Sequence, residues 1–283
     1  MIAFFALAAP AVRGQQDATI HGLWVWKGPS ILQTPASVEA LRDFCRANKI
    51  NEVYVSVSER GELMLPANMA RLIQTLHQHN IRVEALLSSE SADEGGKHLE
   101  KLLNEVRTIV LFNQEQPRNR FDGIHLDIEP QQRTENKGPG NLRFLTGLVQ
   151  AYRAVRDIAE HARMTVNADI QNKLLKADAG QRTMLLSSLP RFTLMMYELS
   201  SPQDGDDTAK KIEKVRDASK RFLDMAYESI PSEHLGKMVI GLRTPDYGDQ
   251  LPTMLQALDH AHGSNPRYAG WARHSYNDTL PKR

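Results

Sequence analysis

Phe121-Asp122-Gly123-Ile124-His125-Leu126-Asp127-Ile128-Glu129-Pro130 is an apolar run with ionisable residues set into it at every second position. Side chains alternate across a strand, so Ile124, Leu126 and Ile128 share one face and His125, Asp127 and Glu129 the other. The apolar face suits packing beneath helices. The opposite face carries two carboxyl groups whose Cα atoms lie roughly 6.5 to 7 Å apart, and unpaired charges are costly to bury. No Lys or Arg of the segment points to that face. Either the row is an internal ion-pair ladder completed by other strands, or it supplies a general acid and a neighbouring carboxylate that orients or stabilises.

On both sides of this strand, short strand-like runs alternate with amphipathic helical stretches, the pattern of a parallel sheet covered by helices. Upstream, strands are expected at Gly22 to Trp26, along Val53, Val55 and Val57, and at Ile81 to Ser88. Thr34-Pro35 opens the first helix, the hydroxyl as N-cap and Pro in the first turn. Met69, Leu72, Ile73 and Leu76 trace the second helix, and Leu99 to Val110 the third. Downstream, Leu142 to Ile158 carries the strongest helical stripe. Met164 to Ile170 is a fifth strand that turns Thr165, Asn167 and Asp169 inward. A short helix near Arg182 to Leu189, a strand at Phe192 to Glu198, a helix through Ile212 to Ala226 and a strand at Met238 to Arg243 follow. A helix near Gln250 to His262 and a last strand at Tyr268 to Tyr276 complete the series. Eight strands and at least seven helices fit one closed (β/α)8 barrel, an α/β fold of about 250 residues, as a single domain over residues 17–283. A doubly wound open sheet is the second architecture, but Lys27-Gly28-Pro29-Ser30-Ile31 is not the Gly-rich turn such sheets place after strand one.

At strand four, Asp122-Gly123-Ile124-His125-Leu126-Asp127-Ile128-Glu129 resembles the Asp-Gly-x-Asp-x-Asp-x-Glu signature of family 18 glycoside hydrolases, the chitinase-like enzymes. The resemblance implies that Glu129 protonates the glycosidic oxygen. It implies that Asp127 holds the substrate acetamido group, itself the nucleophile, and that Asp122 is structural. His125 stands where the family has its middle Asp. An imidazole there is expected to donate a hydrogen bond to Asp127 and to support it rather than pass a proton to the sugar. Met195-Met196-Tyr197-Glu198 resembles the family's Met-x-Tyr-Asp segment, which makes Tyr197 a partner of the acetamido group. Trp271 resembles the Trp that floors the family's sugar subsite.

Other inward positions near strand ends are candidate substrate contacts: Trp24 and Trp26 as platforms for sugar rings, or as core, with Asn167, Asp169 and Glu198. A second mechanism keeps Glu129 as acid and takes a protein carboxylate as nucleophile, Glu198 or Asp169, with Asp246 and Asp249 in the loop after strand seven. A third possibility is a carbohydrate-binding barrel without catalysis. The partner expected under every reading is an oligo- or polysaccharide.

The chain has 283 residues and a net charge of +1, which gives no argument for nucleic acid or an anionic membrane as partner. Residues 1–16 hold the apolar run Ile2 to Ala9 followed by Val12-Arg13-Gly14, a pattern read as a secretory signal and hence a secreted or periplasmic protein; a disordered apolar tail is the alternative. No other run approaches the ~20 apolar residues of a membrane span. Cys45, the single cysteine, sits in a helical pattern that suits plain burial. The pairs His77/His79 and His260/His262 lack the partners of a metal site. With no Walker-type or Gly-x-Ser-x-Gly motif, no cofactor is expected. The number of subunits is not legible in the sequence.

Overall fold

The computed structural model describes residues 19–59, 62–64, 68–136, 142–197, 205–228 and 235–280. Residues 1–16 and Glu198 lie outside them. Eight parallel strands close a barrel: β1 (Ile20–Val25), β2 (Glu52–Ser56), β3 (Arg82–Ser89), β4 (Gly123–Ile128), β5 (Thr165–Gln171), β6 (Arg191–Met195), β7 (Lys237–Arg243) and β8 (Tyr268–His274). Each pairs with its sequence neighbours, and β8 returns to β1. The helices of two turns or more among the described residues are α1 (Pro35–Ala47), α2 (Met69–His77), α3 (Gly96–Glu115), α4 (Leu145–His161), α5 (Ala179–Leu186), α6 (Thr208–Tyr227) and α7 (Leu251–His262).

The alternation of side chains divides the molecule into two cores. Leu23, Val25, Val53, Val55, Val83, Ile124, Leu126, Val166, Ala168 and Ile240 face outward and form one continuous apolar layer beneath the helices. Trp24, Tyr54, Leu86, Val239 and Ala272 pack inside the barrel. Local signals start the helices where expected. Thr34 accepts from the Ser37 amide at 3.1 Å with Pro35 in the first turn, and Asp178 and Asp207 cap α5 and α6. Cys45 is buried under α1.

Several boundaries differ from the sequence reading. Strand six ends at Met195, so Tyr197 follows the strand. The short helix before it begins at Ala179, because Asp178 caps it three residues earlier than the apolar pattern suggests. Strand eight ends at His274 and a 3-10 turn, Tyr276–Thr279, folds over the barrel mouth. Asn277 fixes that turn by accepting from the Trp26 amide at 2.8 Å and donating to the Trp26 carbonyl at 2.9 Å. Asp122 ties the start of β4 to its neighbours, its Oδ2 accepting from the Val83 amide at 2.8 Å and meeting His77 Nε2 at 2.9 Å.

Candidate active site

Polar residues fill the barrel interior in three tiers. The floor lies at the strand starts. There Arg191 Nη2 donates to Glu52 at 2.5 Å and to Glu84 at 3.0 Å, and its Nε to Asn167 at 3.2 Å. Asn167 in turn donates to Glu84 at 2.6 Å.

The middle tier is built on His125. Its Nδ1 meets Glu84 at 3.2 Å, its Nε2 meets Asp169 at 2.9 Å, and its ring stacks on Tyr54 at 3.8 Å. The Trp24 indole donates to the other Asp169 oxygen at 2.9 Å. Burial opposes charge on His125, but Asp169 and Glu84 outweigh it and push the imidazole up to about 9. Glu84 is held down at about 2; burial alone would raise it, and Arg191, His125 and Asn167 overcome that.

The mouth tier holds Asp127, Glu129, Gln171, Tyr197 and His274. Glu129 closes β4, its amide donating to the Ser89 carbonyl at 3.0 Å. Its carboxyl accepts only from amides: Gln171 at 2.8 Å, Gln131 at 3.1 Å, and Gln132. Burial raises the Glu129 carboxyl, Asp169 and Glu90 add to this, and the bonds from Gln171 and Gln131 offset part of it. Asp127 is raised well above the usual carboxylate range, first by burial and then by Asp169 and Glu129. Among the described residues the Oδ1 of Asp127 and the hydroxyl of Tyr197 are both buried without a hydrogen-bond partner. The Arg243 guanidinium lies over the Tyr197 ring at 5.4 Å, and His274 sits beside it at 5.5 Å. Trp26 donates its indole N–H to His274 at 2.9 Å.

A cleft of about 1670 Å³ opens beside these groups over the ends of β1, β2 and β3, lined by Trp26, Lys27, Ser56, Ser58, Ser88 and Ser89 and running out along α1 and α3. Asp127 and Glu129 are not among its lining residues; the cleft reaches the strand next to theirs, where Ser88 pairs with Asp127 and Ser89 with Ile128.

The structure therefore sorts the sequence candidates. Asp127, Glu129, Tyr197 and Trp26 gather at the mouth. Trp24, His125, Asn167 and Asp169 lie below it, at most 3 % exposed and bonded to one another or to the floor, out of reach of a sugar. Both oxygens of Asp169, the alternative nucleophile, are engaged, one by Trp24 and one by His125. The expected hydrogen bond from His125 to Asp127 is replaced by bonds to Glu84 and Asp169, which occupy both ring nitrogens. Trp271 faces outward. It stacks on His21 at 4.2 Å and donates to Asp259 of α7 at 2.9 Å, because the inward positions of β8 are Ala272 and His274. Asp246 is turned to Arg243 at 2.7 Å. Gln171, Gln131, Glu84, Tyr54 and Arg191 escaped the sequence reading. The inward parity of strand five, Asn167, Asp169, Gln171, was the signal for the first of them.

No protein-family model matches the sequence, and no curated protein matches it. Solved structures do. A GH18 chitinase from Pseudoalteromonas aurantia superposes with a TM-score of 0.57 at 10% identity, over 92% of this chain and 95% of that one. A chitinase from Chromobacterium violaceum gives 0.55 at 13% identity, over 91% and 94%. The PgaB glycoside hydrolase domain from Bordetella bronchiseptica gives 0.54 at 12%, over 91% and 94%. The fold is that of the chitinase-like barrels. In this barrel Glu129 stands at the C-terminal ends of the strands, the end at which (β/α)8 barrels place their chemistry. Among the described residues no helix is long and apolar enough to cross a membrane.

Proposed function

We propose that this protein is a glycoside hydrolase acting on an N-acetylated glycan. The observation that carries the reading is the pair of buried polar atoms without partners among the described residues, Asp127 Oδ1 and the Tyr197 hydroxyl, beside the Glu129 carboxyl, which burial raises above its ordinary value. Leaving such atoms unpaired costs roughly 1 to 3 kcal/mol each, and an acetamido group offers one donor and one acceptor to satisfy both. Its N–H donates to Asp127 and its carbonyl accepts from Tyr197. So held, the acetamido oxygen attacks the anomeric carbon as Glu129 gives its proton to the departing glycosidic oxygen, and water then opens the cyclic intermediate with Glu129 as base. The cleft over β1 to β3 is the bed for the rest of the glycan, its serine hydroxyls facing sugar hydroxyls and Trp26 a ring face. With residues 1–16 as a secretory signal, the site of action is outside the cytoplasm.

Glu129→Gln tests the reading, since it keeps volume and removes the transferable proton. On N-acetylglucosamine oligomers, turnover is expected to fall by roughly 10²- to 10⁴-fold while oligomer binding persists. Near-normal turnover in this variant overturns the assignment.

A further inference from the structure

Asp169 has no task in the reaction just described, yet both its oxygens are engaged by buried ring N–H groups. One oxygen faces His125 Nε2 at 2.9 Å and the other accepts from the Trp24 indole at 2.9 Å. The strand register sets it beside Asp127: Leu126 pairs with Ala168, so the next residue up each strand is Asp127 on β4 and Asp169 on β5, both turned inward. The two strands are still paired one residue below, at Leu126 and Ala168, with the spacing of about 4.8 Å usual for neighbouring strands, and carboxylates on adjacent strands of a buried interior disfavour each other's ionisation. The compensation is unequal. Asp169 receives two N–H donors, one from an imidazole that is itself braced by Glu84, whereas Asp127 Oδ1 receives none.

We infer that Asp169 is a positioning residue: its charge, clamped by His125 and Trp24, keeps the shared proton on Asp127 and so sets the pH window in which the site works. The other groups facing Asp127 are Glu129 and His125 on its own strand, Tyr197 after β6 and Tyr152 from α4. The hydroxyls of both tyrosines are buried without partners. Glu129 in turn faces Glu90, Gln171 and Lys173. The high Asp127 carboxyl, raised by burial and next by Asp169, agrees with this arrangement. The roles differ from a relay in which the imidazole serves Asp127 directly. Here His125 is the counter-ion of Asp169, and Asp169 acts on Asp127 through space.

The inference rests on the proposed reaction for its kinetic consequence only, so its test has two arms. In the full chain, carboxyl ¹³C titration follows Asp127 in the wild type and in Asp169→Asn. Asparagine preserves the acceptor for Trp24 and removes the charge, so the Asp127 midpoint is expected to fall by about one to two pH units. In the second arm, both limbs of the pH–rate profile on N-acetylglucosamine oligomers move to lower pH, since one like charge is lost beside Asp127 and Glu129. Trp24→Phe, which removes one donor to Asp169 and so raises the affinity of Asp169 for the proton at the expense of Asp127, is expected to give a smaller shift in the same direction, and keeps the test open if Asp169→Asn does not fold. An Asp127 midpoint unmoved or raised in a folded variant overturns the inference. Absence of turnover in the wild type with the expected titration shift overturns the glycosidase reading and leaves the inference standing.

Discussion

Tyr197 is the residue at which stability and function pull in opposite directions. Its hydroxyl is buried without a partner, so Tyr197→Phe removes an unsatisfied group and is expected to leave stability unchanged or raise it by up to about 1 kcal/mol. The same change removes the donor proposed for the acetamido carbonyl, and turnover is expected to fall about tenfold, the equivalent of one lost hydrogen bond of roughly 1.4 kcal/mol. Thermal unfolding and steady-state kinetics on one preparation read both effects; a drop in stability equal to the drop in activity would mean that the hydroxyl is structural. At this scale the sequence disclosed the residues of one strand better than the residues between strands. The alternation on β4 placed His125, Asp127 and Glu129 on the inner face, but it could not say that the partners of His125 come from β3 and β5. Trp271 faces away from the interior because parity in the last strand turns Ala272 and His274 inward, and a motif likeness carries no information on parity. That strand is irregular at Gly270, whose φ of 137° and whose approach to Ile20, where a Cβ would lie 2.0 Å from the carbonyl oxygen, admit no side chain.

Between elements, the loop after β4 is fastened to the loop after β3 by one arginine. Arg133 donates to both oxygens of Asp93 at 2.7 Å, to Glu135 at 2.9 Å and to the Glu90 carbonyl. The Asp93 turn packs so tightly on α4 that a Cβ on Gly147 would meet its carbonyl oxygen at 1.9 Å. Because the Glu129 carboxyl is held by Gln131 and Gln132 of this same loop, the fastening reaches the proposed acid. Arg133→Ala leaves the Asp93 carboxylate, its side chain 3% exposed, without its main partner, and is expected to cost roughly 3 kcal/mol. Amide hydrogen exchange should quicken in residues 90–96 and 130–136 while the barrel strands stay protected; uniform protection would show that the fork is not what orders these loops. The order of elements was legible from apolar periodicity, since each helix needs a stripe and each buried strand an apolar face. The loop clasp was not, because ion pairs between loops leave no periodic trace.

Across the whole molecule, the charged floor makes stability depend on pH at both ends. His125 is raised from 6.5 to about 9 in the folded chain, so its contribution, on the order of 3 kcal/mol, is complete below pH 6.5 and is lost as pH climbs through about 9. Glu84 is lowered from 4.5 to about 2, so its contribution is complete above pH 4.5 and is lost as pH falls through about 2. The melting temperature is therefore expected to be highest between these limits, and His125→Gln is expected to flatten its alkaline decline; an equally steep decline in that variant would assign the effect elsewhere. The turn at Tyr276–Thr279 carries a different consequence. It seats on Trp26, just past the first strand, and forms one wall of the cleft, so the proposed sugar bed is shared by the earliest and latest parts of the barrel to leave the ribosome. A partly synthesised chain has no finished bed to offer, and a proteolytic cut ahead of Tyr276 would strip the cleft wall while leaving every strand of the barrel in place.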